Sequence, residues 1–455
     1  MWKPSELNTD ITLYVAIADA IEKSIHNKDL LPGEKMPTQR HIAEVIGVNL
    51  TTVTRAYNLA KKRGLLKAVT GKGTFVADPE DQFLPHVRQD SNGIIDFGLV
   101  GSIKGNTRLV ESILKDLPST VNLDELLSYI PSQGMMRHRI SGAKWVGYHG
   151  YEVTGEDVLI CSGSMHAINC TLSSLFSYQA TIAVDQLTFT GFRNACGLND
   201  INLMPVAYDE FGMIPEALDQ ACQKQKIDGI YLMPNLQNPT AIAMTTERKS
   251  AIATVIRKHN LLLIEDDIYN LMTGDSRPMA NLLPDQTIYI CGTSKTLYAG
   301  LRIAFVVVPK RLQDKFIQSI TATVWMASPI GAELVSQLIE RGLVESIMEE
   351  KRKIIKERLE ITLNMLKDYQ VSSSAFGPFL WLTLPDYIDA SEFEHIALIH
   401  HVRVVSAKKF AVGPNTSNAI RLSIINVDNI EELKKGLYKL LQLLKNPEYN
   451  KDIIM

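Results

Sequence analysis

Cysteine is scarce in this chain, and its five cysteines are too irregularly spaced to form a metal site or a disulfide framework. No pair has Cys-x-x-Cys spacing and no histidine cluster accompanies them, which argues against zinc and favours a reducing compartment. Long hydrophobic runs are also missing: no apolar stretch approaches the roughly 20 residues that a membrane-spanning helix requires. The N-terminus lacks the apolar core and cleavage site of a secretory signal. We therefore expect a cytoplasmic protein without a metal site or a membrane segment.

A large net charge is absent as well, but the charge is unevenly distributed. The 455 residues carry a net charge of −3, with 45% apolar and 21% charged residues, which is ordinary for a globular chain of two or three domains. Residues 28–76 contain nine Lys/Arg against three Asp/Glu, so this stretch carries +6 and leaves about −9 for the remainder. A basic module on an acidic body indicates a polyanionic partner for the module alone.

The first 76 residues have the pattern of three helices followed by a hairpin. Apolar residues recur at helical spacing from 12 to 25, and Thr38 and Asn49 stand where a second and a third helix need N-caps. Gly47 ends the second helix, and β-branched residues flank a Gly-rich turn near residue 71. This order predicts a winged helix-turn-helix over residues 1–76. Its core is expected, from the spacing, to contain Val45, Ile46, Val48, Val53, Ala56, Tyr57 and Phe75.

Residues 36–76 resemble the winged helix of the GntR superfamily. They contain, in order, Pro-Thr-x-Arg, Ile-Ala, Gly-Val-Asn, Thr-Val, Ala-Tyr, Gly-Leu-Leu and Gly-x-Gly-Thr-Phe-Val. The first turns of the third helix can reach base edges in a major groove, and the thin hairpin can approach a minor groove. Leu50 stands where relatives often have a basic residue, and Lys61 and Lys62 are equally compatible with a solvated helix face. The predicted contacts to double-stranded operator DNA are Arg40, Thr51, Thr52, Arg55 and Lys72.

Beyond a polar linker at 77–93, the chain alternates short β-rich runs with helical segments. Seven apolar runs, from DVLICSG to IAFVVV, lack clean alternation, which favours a mainly parallel sheet covered on both faces. Two amphipathic helices follow near the C-terminus. The sequence therefore predicts an α/β domain over 94–447, with a smaller C-terminal α/β subdomain and a loose tail at 448–455.

Lys295 lies in TSKTLYAGLR, between two apolar runs and seven residues before Arg302. The stretch resembles the cofactor-lysine motif of fold-type I aminotransferases, Ser-Lys-x-Leu-x-x-Gly-Leu-Arg, which depend on pyridoxal 5'-phosphate (PLP). The resemblance implies an internal aldimine between Lys295 and PLP, with Arg302 on the phosphate. A partly desolvated lysine suits imine formation because its amine loses its proton readily.

Further matches to the same family, in chain order, concern the cofactor ring and the substrate. The resemblance puts Asp266 at the pyridine nitrogen, and Tyr269 and Asn238 at the phenolic oxygen. It also implies that Phe189 stacks on the ring and that Arg421 pairs with a substrate carboxylate. A carboxylate at the ring nitrogen keeps the nitrogen protonated, so that the ring can withdraw electrons.

The phosphate side of the expected site departs from the family pattern at one position. Gly292 stands where relatives often place a hydroxyl, for which Thr293 or Ser294 is the candidate substitute. The turn before a predicted helix supplies Ser164 and Met165, since a helix N-terminus favours anions. The resemblance further implies that Tyr129 reaches the phosphate of the neighbouring subunit.

A GntR-type winged helix fused to an aminotransferase-like domain resembles the MocR type of bacterial transcription regulator. That resemblance implies a homodimer, head-to-tail in arrangement, in which the large domain senses an amino compound or PLP and changes DNA binding. Two other functions stay open: an active aminotransferase with an accessory DNA-binding domain, and a module whose large domain only dimerises. The departures around the site, such as Gly292, Ala299 and Ala241, predict that transamination is absent or weak.

Overall fold

The computed structural model describes residues 2–4, 7, 12–27, 29–31, 33–63, 65–69, 73–77, 93–103, 107–273, 277–413 and 417–445. The chain divides into two compact units, Met1–Leu84 and Pro85–Met455. The expected linker at 77–93 and tail at 448–455 fall largely or wholly outside the described residues. None of the described helices is long and apolar enough to cross a membrane.

The first unit contains three helices and a two-stranded antiparallel sheet. They are α1 (Leu13–His26), α2 (Gln39–Ile46), α3 (Leu50–Lys62), β1 (Leu66–Val69) and β2 (Gly73–Val76). Thr38 caps α2 by accepting from the His41 amide, and Asn49 caps α3 by accepting from the Thr51 amide. Gly47 ends α2 in the left-handed conformation at φ +68°. The predicted winged helix-turn-helix is thus confirmed, together with its caps.

The core of the first unit lies between α1 and α3. Tyr57 is fully buried, and its hydroxyl donates to the Pro37 carbonyl. Arg63, which follows α3, pairs with Asp19 and Glu22 of α1. The prediction that Val45 belongs to this core is wrong, since 46% of the residue is exposed. The eight-residue helix α2 buries only Ile42 and Ala43, so Val45 remains on its outer face.

The second unit is built from a further 15 strands and 13 helices among the described residues. The strands are β3 (Ile95–Asp96), β4 (Val158–Cys161), β5 (Thr181–Asp185), β6 (Asn202–Val206), β7 (Tyr208–Asp209), β8 (Gly212–Met213), β9 (Gly229–Leu232), β10 (Leu262–Asp266), β11 (Thr287–Gly292), β12 (Ala304–Val307), β13 (Val371–Ser373), β14 (Phe379–Thr383), β15 (Val402–Arg403), β16 (Val405–Ser406) and β17 (Ala419–Ser423). The helices are α4 (Arg108–Thr120), α5 (Leu123–Leu126), α6 (Met136–Tyr148), α7 (Ser164–Leu175), α8 (Thr190–Leu198), α9 (Pro215–Lys224), α10 (Thr246–His259), α11 (Asn270–Thr273), α12 (Lys310–Val324), α13 (Pro329–Glu340), α14 (Val344–Met365), α15 (Ala390–Ile399) and α16 (Ile430–Lys445).

The central sheet has seven strands in the order β4-β12-β11-β10-β9-β5-β6. Its pairs are parallel except those that β12 makes with β11 and β4, which are antiparallel. The strands are nearly all buried along their length, because helices cover both faces of a parallel sheet. The seven apolar runs of the sequence form these seven strands, and the predicted α/β class is confirmed.

A second sheet, β13-β14-β17-β16, is antiparallel and forms with α15 and α16 the smaller part of the second unit. The short strand β3, at the start of the unit, pairs in parallel with β15. Residues just after β3 therefore run from the smaller part toward the large sheet. The carboxyl ends of β9, β10 and β11 open at one edge of the large sheet, where ligands bind in open α/β folds.

Candidate functional site

Lys295 lies in the turn after β11, and its amine is held by a backbone carbonyl. Its Nζ donates to the Val100 carbonyl oxygen. Burial first, and then the positive charges of Arg421 and Arg302, lower the pKa of Lys295 to about 8, against the opposing charge of Asp266. About a tenth of this amine is therefore unprotonated, and nucleophilic, at pH 7, far more than of a solvent-exposed lysine.

The N-terminus of α7 and the Arg302 guanidinium form an anion-binding corner next to this lysine. Gly163 precedes α7 at φ +87°, and a Cβ placed on it would lie 2.5 Å from Nη2 of Arg302. Arg302 also donates to the Ser294 hydroxyl over 3.2 Å. The buried Ser164 hydroxyl has no hydrogen-bond partner among the described residues. Helix N-terminal amides, a hydroxyl and a guanidinium are the kinds of donor that a phosphate group requires.

Gly292, the departure noted in the sequence, has a steric explanation in this corner. A Cβ at position 292 would lie 2.3 Å from the Ser164 hydroxyl oxygen. A serine or threonine at 292 would therefore occupy the space that Ser164 fills. The Ser164 hydroxyl, on α7, therefore lies where a side chain at position 292 would begin.

Gly163→Ala is expected to weaken PLP binding about tenfold or more, because the added methyl collides with Arg302 and alanine is strained at this φ. Absorption titration of the two proteins with PLP measures the effect. The control is Gly197→Ala within α8, where a Cβ meets nothing within 4 Å. Equal PLP affinity in Gly163→Ala and wild type would contradict the phosphate assignment.

Asp266 ends β10 with its carboxylate fully buried. Its Oδ2 accepts from the Tyr231 hydroxyl over 2.9 Å, while Oδ1 has no hydrogen-bond partner among the described residues. Burial raises the pKa of Asp266 to about 7, although the Tyr231 hydrogen bond and the charge of Lys295 lower it. An unsatisfied buried carboxylate oxygen indicates a missing donor, such as a protonated ring nitrogen.

Asn238 and Arg421 are joined directly. Arg421 Nη1 donates to Asn238 Oδ1 over 2.6 Å, and Nη2 donates to the Gly98 carbonyl oxygen. The guanidinium lies over the Phe410 ring, 4.8 Å from its centroid, and 5.8 Å from that of Phe379. Burial lowers the pKa of Arg421 to about 10. Among the described residues no carboxylate lies within ion-pair distance of it, although the charge of Asp96 acts on it from further away. The direct hydrogen-bond partners named above are neutral acceptors.

The aromatic residues expected around the ring lie at the same edge. Tyr269 is buried and meets Phe379 edge-on, with 5.5 Å between the ring centroids. Phe189, half-buried at the start of α8, lies beside the sulfur of Met165, since a Cβ on Gly191 would touch both side chains.

Tyr129 does not join this set within one chain. Its ring is 81% exposed and lies 5.7 Å from that of Trp325, which is 55% exposed. Tyr129 therefore lies at the surface of the chain. The contact expected for it, with the phosphate site of a neighbouring subunit, would require a second copy of the chain.

Two buried polar residues near the site were not predicted from the sequence. Tyr231 is part of an apolar run and looks like a core residue there. Lys351, which is 1% exposed on α14, donates to the carbonyl oxygens of Leu297 and Lys295 and so caps the turn that carries the site lysine. The sequence does contain an indication of this burial. Lys351 stands three or four residues from Met348, Ile347 and Ile355, and thus on the apolar face of α14.

Most of the residues predicted to contact DNA lie on the surface of the first unit. Arg40 on α2 and Thr51 and Arg55 on α3 are exposed, and Thr52 is half-buried. Thr51 and Thr52 occupy the first turn of α3. Lys72, expected at the hairpin tip, lies outside the described residues.

Two families match this chain. Residues 100–437 match "Aminotransferase class I and II", and residues 13–76 match "Bacterial regulatory proteins, gntR family". The uncharacterized HTH-type transcriptional regulator YdeF of Bacillus subtilis is 30% identical over 447 residues, covering 97% of this chain and 96% of the relative. The 2-aminoadipate transaminase of Thermus thermophilus is 26% identical over 331 residues, covering 70% of this chain and 82% of the enzyme.

A solved structure shares the fold of the large unit. LysN, an α-aminoadipate aminotransferase from Thermus thermophilus complexed with N-(5'-phosphopyridoxyl)-L-leucine, superposes with a TM-score of 0.71 at 23% identity, covering 79% of this chain and 95% of that protein.

Proposed function

The chain belongs to the aminotransferase class I and II family and, with its gntR-family N-terminal domain, to the MocR-type transcription regulators, and from this we propose that it holds PLP at Lys295, senses an amino compound there and changes its DNA binding in response. The division that goes with this proposal is a DNA-binding domain at 1–76, a linker at 77–93, the sensing and dimerisation domain at 94–447 and a tail at 448–455.

The observation that carries the cofactor proposal is the set of unsatisfied buried groups around Lys295. Ser164 Oγ and Asp266 Oδ1 are buried and lack hydrogen-bond partners among the described residues. Arg302 and the N-terminus of α7 fit the phosphate, and Asp266 fits the ring nitrogen. That LysN is complexed with a phosphopyridoxyl amino acid in its structure supports the same assignment.

Each residue then has one task. Bound PLP supplies an aldehyde that condenses with amines and a ring that withdraws electrons. Lys295 offers an amine with a lowered pKa, and Asp266 holds a proton at the ring nitrogen. Tyr269 and Asn238 supply polar groups for the phenolic oxygen, and Phe189 covers the ring face. Ser294 and Ser164 complete the phosphate corner that Arg302 dominates.

The proposed effector is a carboxylate-bearing amine, such as an α-amino acid. Arg421 is buried with no carboxylate partner among the described residues, which costs free energy that an anionic ligand would recover. One ligand could then place its amine at the Lys295 site and its carboxylate on Arg421. The same arrangement is compatible with transamination, and the resemblance to a 2-aminoadipate transaminase keeps an active aminotransferase as the second candidate.

We further propose a homodimer with a head-to-tail arrangement, in which the exposed Tyr129 of one chain serves the phosphate corner of the other. Exposure of a large aromatic pair, Tyr129 and Trp325, supports an interface at this surface.

Arg55→Ala tests the DNA-binding part of the proposal. The change should weaken binding to an operator selected by the wild-type protein by about 1–3 kcal/mol, because an early residue of the recognition helix is lost. Fluorescence anisotropy at two salt concentrations measures the affinity. Arg311→Ala, which removes the same charge from the exposed start of α12, is the matched control and should leave affinity unchanged. Equal affinities for all three proteins would refute the placement of α3 in the groove.

A further inference from the structure

Tyr231 occupies a position that its role as a core residue does not explain. It lies on β9, next to β10, and its side chain is 2% exposed. Its ring stacks on Phe192, with 3.7 Å between the centroids and 10° between the planes, which fixes the direction of the hydroxyl. That hydroxyl donates to Oδ2 of Asp266 over 2.9 Å. A phenylalanine would fill the same space, so packing alone does not require the oxygen.

Because of this hydrogen bond, the two oxygens of Asp266 differ in their environment. Oδ2 is occupied by Tyr231, and Oδ1 is left without a partner among the described residues. Burial raises the pKa of the Tyr231 hydroxyl well above its ordinary value, so it stays a donor over the whole neutral range. A neutral donor at Oδ2 stabilises the carboxylate form of Asp266, which burial would otherwise disfavour.

We infer that Tyr231 is a positioning residue, which orients Asp266 so that Oδ1 faces the ring nitrogen of PLP and favours the ionised form of that carboxylate. The inference rests on the proposed function, because it needs PLP with its nitrogen at Asp266. Tyr231 itself does not contact the cofactor in this assignment; its effect runs through Asp266 alone.

Tyr231→Phe separates this role from a structural one when two probes are used. The first is PLP, and the second is the analogue in which a C–H group replaces the ring nitrogen. Because the effect runs through Asp266 and the nitrogen, Tyr231→Phe should weaken PLP binding about tenfold and leave binding of the analogue unchanged. Asp266→Asn should show the same selectivity with a larger loss. Dissociation constants from absorption titration, at one pH, give the comparison.

Tyr289→Phe is the matched control. Its hydroxyl is equally buried, on β11, and donates to Oδ2 of the neighbouring Asp267 over 2.6 Å. Its loss should change the affinities for the two probes by the same factor. An unchanged PLP affinity in Tyr231→Phe, or equal losses for both probes, overturns the inference while the proposed function stands. A wild-type protein that binds neither probe overturns the proposed function and this inference with it.

Discussion

Lys295→Ala is expected to abolish covalent retention of PLP. Lys295 combines an amine of lowered pKa with the phosphate corner around Arg302, and its removal leaves the cofactor only non-covalent contacts. After borohydride treatment, the wild-type protein should carry one phosphopyridoxyl group on the peptide that contains Lys295. Lys295→Ala should carry none.

The same peptide map contains its own control. Lys351 and Lys249 are also buried, and burial lowers the pKa of both amines, but neither is placed at the phosphate corner. Labelling at either of them, or persistent labelling of Lys295→Ala, would contradict the assignment of Lys295.

The lowered pKa of Lys295 predicts the pH dependence of this reaction. Only the unprotonated amine is nucleophilic, so covalent uptake should rise with pH and reach half its limiting rate at about pH 8. At pH 7.5 a lysine with this pKa is unprotonated roughly two hundred times more often than a solvent-exposed lysine. Stopped-flow absorption measures the rate, and a midpoint near the ordinary lysine pKa would mean that burial does not activate Lys295.

Arg421→Leu is expected to lower the affinity for amino carboxylates about a hundredfold or more. Truncating a buried cation that pairs with a ligand carboxylate leaves that carboxylate buried and unpaired, and such losses are about 2–5 kcal/mol. Affinity for the corresponding amine without a carboxylate should be unchanged, because such an amine has no group that pairs with Arg421. Spectral titration of the PLP-loaded protein with both ligands measures the two affinities.

Arg421→Lys provides a graded control for the same prediction. It keeps the charge but replaces two separated nitrogens by one, whereas Arg421 reaches Asn238 and Gly98 with two nitrogens. An intermediate affinity is expected. A parallel loss for the amine and the amino carboxylate in Arg421→Leu would show that the arginine only supports the fold.

The sequence could predict that several candidate site residues lie together, because their motifs stand at or beyond the ends of strands whose carboxyl ends converge. Lys295, Asp266 and Asn238 each follow a buried apolar run, and parallel pairing of those runs brings them to one edge of the sheet. The helix caps at Thr38 and Asn49 could be predicted for a similar reason, since capping is local.

The supporting residues could not be predicted, because their partners are set by register and packing. Tyr231 reaches Asp266 only through the register of β9 against β10, in which Leu232 pairs with Glu265. The sequence shows only that Gly292 lacks a hydroxyl, whereas the packing of α7 places the Ser164 hydroxyl beside it. Val45 was misjudged because a short helix buries fewer apolar residues than its pattern suggests.

Two cations of the proposed site hold the backbone segment just after β3. Arg421 donates to the Gly98 carbonyl and Lys295 to the Val100 carbonyl, and both carbonyls lie just after β3. A ligand that engages these two cations competes with the hydrogen bonds of this segment. A ligand can change DNA affinity only if its contacts differ between two conformations of the protein, and this competition would provide such a difference.

Coupling between ligand and DNA is tested most directly by one titration with two readouts. The PLP-loaded protein, bound to its selected operator, is titrated with an amino carboxylate while cofactor absorption and DNA anisotropy are recorded together. The proposal predicts that both signals change over the same ligand concentrations, with a shift in DNA affinity of about fivefold or more, and that Arg421→Leu loses both responses. Saturation of the absorption change with constant DNA affinity would contradict the proposal.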